Sequence, residues 1–211
     1  MNRFHQIVAG TVVSLFAGVA SAGLIIDNST QGYYNNSLGD LADTYGPGSL
    51  FFPGANVSEG DPTQNPILVE PDLSSTSELG NWLNNDFSNP EWSGPVNIPS
   101  NWAVNSETAI AYEFTLTESS YVNVNIGVDN GIYAWFNGEY TFGAMRRGGA
   151  FANEYSFGTT LSAGTHYLQL LREDHGGQTG YIISATAVPE PATLALMGLG
   201  LLGLGISRRK A

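Results

Sequence analysis

The chain has 211 residues, of which only 12% are charged, and a formal net charge of −12. It has no cysteine, which excludes cysteine nucleophiles, Cys-ligated zinc and iron–sulfur clusters and leaves the core to hold the fold without disulfides. Between Gly23 and Ala187 three bases, Arg146, Arg147 and Arg172, stand against eighteen acids, a balance of −15. That excess excludes nucleic acid and repels anionic membranes or polysaccharides unless divalent cations bridge the two.

Residues 1–22 read as a secretory leader. Arg3 and His5 form its n-region and Ile7 to Val19 its apolar stretch, too short for a membrane span. Ala20-Ser21-Ala22 makes an A-x-A-like site. The Sec machinery and signal peptidase are the implied partners, and a cut after Ala22 leaves Gly23 as the new N-terminus. With the tail removed as well, roughly 165 residues remain, enough for one domain with a real core.

Residues 23–108 carry few clear signals. Leu24-Ile25-Ile26 predicts a first strand, Leu50-Phe51-Phe52 and Ile67-Leu68-Val69 are short apolar runs, and Glu78 to Asn84 allows one helical turn. Trp82, Trp92 and Trp102 are spaced through a background of Gly, Asn, Pro, Ser and Asp, read as long loops and early strands of the same domain. From Ala109 onward period-two alternation is clear and predicts strands over Ala111 to Leu116 and Val122 to Val128. Asp129-Asn130-Gly131 is a turn signal before Ile132 to Phe136. Asn137-Gly138 then marks a tight hairpin to Tyr140-Thr141-Phe142. His166 to Arg172 and Tyr181 to Ala187 are the last strands. No sustained helical stripe interrupts them, so residues 23–187 predict an all-β, antiparallel β-sandwich.

The stretch from Ile98 to Thr186 resembles galactose-binding-like jelly-roll modules and is similar to PA14-type sandwiches. Ile98-Pro99-Ser100-Asn101-Trp102, the strand Ala111 to Leu116, Val128 to Gly138, Leu161 to Leu168 and Gly176-Gly177…Gly180-Tyr181-Ile182 carry that likeness. Less than half the chain is covered, mostly by turn and core chemistry. Calcium-dependent PA14-type lectins carry a paired Asp-Asp where this chain has Asp129-Asn130. The resemblance therefore implies calcium only as far as an Asn carbonyl replaces a carboxylate.

Sugar binding needs aromatic faces beside hydrogen-bonding groups. Tyr133 and Trp135 share one face of their strand, with Asp129, Asn130, Arg146 and Arg147 on adjoining segments. The alternative is that Trp135 fills the core and the Arg146-Arg147 pair is merely solvated. His175, in Arg172-Glu173-Asp174-His175-Gly176-Gly177, either lines a ligand site or belongs to a plain hairpin loop. His166 alternates with strand residues and reads as packed. No G-x-S-x-G elbow, phosphate loop, HExxH or EF-hand pattern is present, and eighteen acids make chance carboxylate pairs certain.

The tail begins at Val188-Pro189-Glu190-Pro191, where two prolines bar helix. Ala192 to Ile206 then predicts a transmembrane helix of roughly 22 Å, against a hydrocarbon core of roughly 30 Å. Arg208-Arg209-Lys210 should stay cytoplasmic. This arrangement resembles the PEP-CTERM sorting signal of Gram-negative bacteria that make exopolysaccharide. The resemblance implies recognition by a membrane-embedded exosortase, cleavage at Pro189-Glu190-Pro191 and delivery to the cell surface or matrix. A permanent anchor is the alternative. Tyr181 to Ala187 leaves no stalk before Pro189, so an uncut acidic domain would press on the membrane, and a temporary anchor is expected. Three function classes follow: a non-enzymatic matrix or surface protein with weak carbohydrate or exopolysaccharide binding, a structural matrix protein without a ligand, and a polysaccharide-processing enzyme.

Overall fold

Apolar residues at every second position from Val122 to Val128 share one side of an extended chain, and all four are fully buried. The computed structural model describes residues 21–41, 44, 63, 65–146, 148–174 and 176–190. Within them run β1 (Gly23–Asp27), β2 (Gln31–Asn35), two short 3-10 turns (Ser77–Leu79 and Trp82–Asn84) and β3 (Ser93–Asn97). Then follow β4 (Thr108–Leu116), β5 (Ser120–Phe136), β6 (Glu139–Arg146), β7 (Tyr155–Leu161), β8 (Gly164–Glu173) and β9 (Gly180–Pro189). The leader up to Ala20, the run Leu50-Phe51-Phe52 and the predicted spanning helix 192–206 lie outside the described residues.

All pairings are antiparallel, in the order β1-β9-β5-β8-β4-β2-β3, with β6 and β7 also bound to β5. The 17-residue β5 carries two layers. Its first half pairs with β7 and β9, its second with β6 and β8. This corrects the turn expected at Asp129-Asn130-Gly131. Asp129 pairs with Gly180, Asn130 with Arg146 and Gly131 with Glu173. Ladder partners on both sides thus occupy a backbone whose local chemistry favours a turn.

Between the layers lies the main core. Val122, Val124, Ile126 and Ile183 from one side meet Ile110, Tyr112, Ile132, Phe136 and Leu170 from the other. Phe142 stacks on Phe157 at 4.8 Å. A second cluster covers the opposite face of the β8-bearing layer. There Tyr133, Trp135, Met145, Leu171 and Ala109 pack against Leu38, Leu41, Leu79, Trp82 and Trp92. The strand therefore loses its in–out alternation, and every residue from Ile126 to Phe136 is buried.

The described residues between β2 and β3 act as this cap. Polar bonds fix it. Buried Gln169 donates from Nε2 to the carbonyls of Trp82 (2.9 Å) and Leu83 (3.2 Å), while its Oε1 accepts from the Gly138 N–H at 2.8 Å. Trp135 Nε1 donates to Glu70 Oε1 at 2.6 Å, and Tyr140 donates to the Ile67 carbonyl at 2.7 Å. Ile67-Leu68-Val69, an apolar run in sequence, forms no strand, and Leu68 is 84% exposed. The Asn137-Gly138 turn is as expected, with φ of 52° and 81°, the left-handed pair a two-residue hairpin needs. His166 is packed: Nε2 faces the Ser162 carbonyl at 2.8 Å and Nδ1 the Asn137 amide at 3.0 Å.

Candidate functional site

Asp129 and Asn130 sit where β5 passes from one layer to the other, so the segments after β3, β6 and β8 converge there. Burial hides both residues, 7% and 1% exposed. The glycine-rich segment 148–154 folds over them. Gly148 and Gly149 take φ of 81° and 51°, open to glycine at no steric cost. The Gly149 N–H donates to the Asp129 carboxylate. Phe151 lays its backbone against Gly127, where any side chain would collide, and leaves its ring 58% exposed.

Glu154 closes this segment. Its carboxylate accepts from the Val128 N–H at 3.4 Å and pairs with Arg146 at 3.7 Å, Arg146 being 55% exposed and the Glu154 side chain 1%. Burial pushes the pKa of both Asp129 and Glu154 up. For Asp129 the Gly149 N–H opposes the rise; for Glu154 backbone bonds and Arg146 oppose it while the Asp129 charge adds to it.

The neighbouring segment 98–107 is pinned from below by Arg172, which is fully buried. The guanidinium donates to Thr108 Oγ1 (2.9 Å) and the Pro99 carbonyl (2.8 Å) and lies over the rings of Trp102 (4.2 Å) and Tyr181 (4.6 Å). Aromatic faces offer a desolvated cation an electrostatic partner. Asn101 donates to the Thr179 carbonyl at 2.5 Å, and the Asn105 and Gly176 amides donate to Asp174 Oδ2 at 2.7 and 3.0 Å. Sequence reasoning missed Glu154, Phe151 and Asp174. Glu154 and Phe151 stand on a segment with no motif. Asp174 sits beside His175 in sequence, but its role depends on Asn105, 69 residues away.

Of the predicted ligand residues, the fold brings together Asp129, Asn130 and Arg146. Tyr133 and Trp135 require a correction. They are 1% and 0% exposed, in the second apolar cluster, because the cap covers the face that an uncapped sandwich would show to solvent. Neither ring offers a stacking face. Arg147 and His175 lie outside the described residues, as do Ala20, Pro191, Arg208, Arg209 and Lys210. Ala22 precedes β1, in which Gly23 pairs with Ala187. Pro189 ends β9 opposite Ser120, and Glu190 follows, exposed.

Calcium prefers six to eight oxygen ligands. Asp129 is already held by an amide and Glu154 by a cation, and among the described residues no group of three or more His, Cys, Asp or Glu could hold a metal. Among the described residues, Asp129 and Glu154 therefore do not fit calcium. Cavities of about 480 Å³ beside Trp82 and about 330 Å³ beside Asn137 are lined by neither Asp129 nor Glu154.

Residues 187–210 match the PEP-CTERM protein-sorting motif. The PEP-CTERM match begins at Ala187, inside β9, so its first three residues are paired in the sheet. Such a motif marks an exported, exosortase-processed surface protein of Gram-negative bacteria. No curated protein matches the chain.

Among solved structures the chain is similar to a PA14 sugar-binding domain from an RTX adhesin. The identity is 15% and the TM-score 0.37, covering 74% of this chain and 89% of that one. It is also similar to the PA14 domain of the MpAFP antifreeze protein, at 14% identity and TM-score 0.35, over 82% and 87%. A β-glucuronidase from an uncultured Clostridium sp. aligns at 8% identity and TM-score 0.43, over 84% of this chain but 30% of that one. These likenesses transfer no ligand and no residue role.

Proposed function

We propose that this is a non-enzymatic, exported surface or matrix protein, temporarily anchored by its C-terminal helix and released by exosortase. Its β-sandwich binds extracellular carbohydrate weakly. The observation carrying the sorting half is the junction: the last strand runs to Pro189 without a stalk, so the folded body is the cargo of the motif. In the exosortase-deleted source strain the protein should stay in the inner-membrane fraction. In the parent it should leave that fraction, and identical partitioning in the two strains would refute the reading.

For the binding half, support comes from the polar end of the sandwich. An exposed Phe151 ring and the half-exposed Arg146 guanidinium lie within one segment of the Asp129–Asn130 crossing. Exposed aromatic faces beside few hydrogen-bonding groups suit sugars better than charged ligands. The two buried carboxylates are held by an amide and an arginine rather than facing a cleft, which favours binding over hydrolysis. A glycan array run with and without calcium tests it: binding in both conditions is expected, and silence in both would leave a purely structural protein.

A further inference from the structure

The layer made of β7, β5 and β9 shows a second surface. Its inward residues fill the core, so its outward ones face away from it in register. Asn123 pairs with Gly158 on β7 and Thr186 on β9; Asn125 pairs with Ser156 and Ser184. These amides and hydroxyls are half-buried to exposed, and none carries charge. Asp27, beyond Ser184 on β1, is engaged by its own Ser29 and Thr30, and Glu154, beyond Ser156, by Arg146. In a body with eighteen acids against three bases, this uncharged patch stands apart.

Aromatic rings stand at both ends. Tyr121, 45% exposed, leans across the sheet onto Gly158. A Cβ there would meet the Tyr121 Oη at 2.9 Å and Cζ at 3.1 Å. Gly158 therefore lets the phenol ring lie down on the sheet rather than stand off it. At the other end the Phe151 backbone rests on Gly127, and its exposed ring lies against Gly149. Six residues separate positions 121 and 127, a span of about 20 Å along a strand.

We propose, resting on the carbohydrate-binding reading above, that this outward face binds an uncharged polysaccharide chain laid along β5 between Tyr121 and Phe151. Flat rings stack on the apolar faces of sugars, and the Asn, Ser and Thr groups between them both donate and accept hydrogen bonds to hydroxyls. Between Tyr121 and Gly127 the strands present no charged side chain in register for uronates or phosphates, Arg146 standing beyond them on Glu154, and the acidic surroundings repel such ligands. An uncharged, hydroxyl-rich ligand is what it complements, and a span of about 20 Å takes several sugar units.

Affinity electrophoresis of the exported protein through gels containing hydroxyethylcellulose, galactomannan or dextran tests this, with alginate as the acidic comparison. At least one neutral polysaccharide should retard the protein and alginate should not. Tyr121→Ala should weaken retardation roughly tenfold; Tyr121→Phe, which keeps the ring, should preserve it. Should Tyr121→Ala lower the thermal midpoint, Asn125→Ala provides the same test by weakening retardation. Retardation lost in Arg146→Ala but untouched in Tyr121→Ala and Asn125→Ala would overturn the face while sparing carbohydrate binding at the loop end. No retardation in any gel would overturn both. Equal retardation by alginate, or a dimer that Tyr121→Ala dissociates without changing retardation, would also overturn the face.

Discussion

Trp135 illustrates how one side chain's role depends on a remote segment. Its strand alternates like any half-exposed strand, yet its indole N–H reaches Glu70, sixty-five residues earlier, and its ring meets Trp82 edge-on at 5.4 Å. Truncation to Ala should cost about 3–5 kcal/mol of stability, read as a lower denaturant midpoint, while polysaccharide retardation of the folded fraction stays unchanged. Loss of binding without loss of stability would contradict the burial. Asp129 and Glu154 act in the opposite sense from most acids. Because burial raises both pKa values in the folded state, each contributes stability that is full below the ordinary carboxylate range and is lost as pH rises through the raised value. Asp129→Asn keeps the shape and removes the charge. The thermal midpoint of this variant should fall less steeply than the parent's as pH rises above the ordinary carboxylate range. An identical slope would show that Asp129 titrates normally.

At the scale of elements, the strands from β4 onward other than β7 were legible because alternation and turn chemistry agreed. The Asn137-Gly138 hairpin is the clearest case. Gly138 combines φ of 81° with a carbonyl of Leu83 where a Cβ would sit, so Gly138→Ala should destabilise by about 1–3 kcal/mol; a neutral effect would mean the cap can yield there. The Asp129-Asn130-Gly131 segment misled for a physical reason. Turn residues permit a turn, but two neighbouring sheets supplied ladder partners for an uninterrupted strand. β2, β3 and β7 were not visible beforehand. Their sequences are short and rich in Gly, Tyr and Ser, and their pairing partners are distant in the chain. The candidate site was legible only in part. Asp129 and Arg146 announced themselves by type, whereas Glu154 and Phe151 were set beside them by the fold of a glycine segment.

For the whole molecule, the central claim is that an acidic β-body is carried outward by an address that begins inside its final strand. Gly23 pairs with Ala187, so the cut expected before Gly23 and the start of the sorting motif fall on neighbouring strands of one layer. Folding can keep both strands only if the cuts fall before Gly23 and beyond the paired residues of β9. Intact-mass measurement of the protein recovered from outside the cell tests this most directly. The account predicts a chain that begins at Gly23, ends just past Pro189 and lacks Arg208-Arg209-Lys210. A recovered chain that still carries those three residues, or an intact chain found soluble in the cytosol, would contradict it.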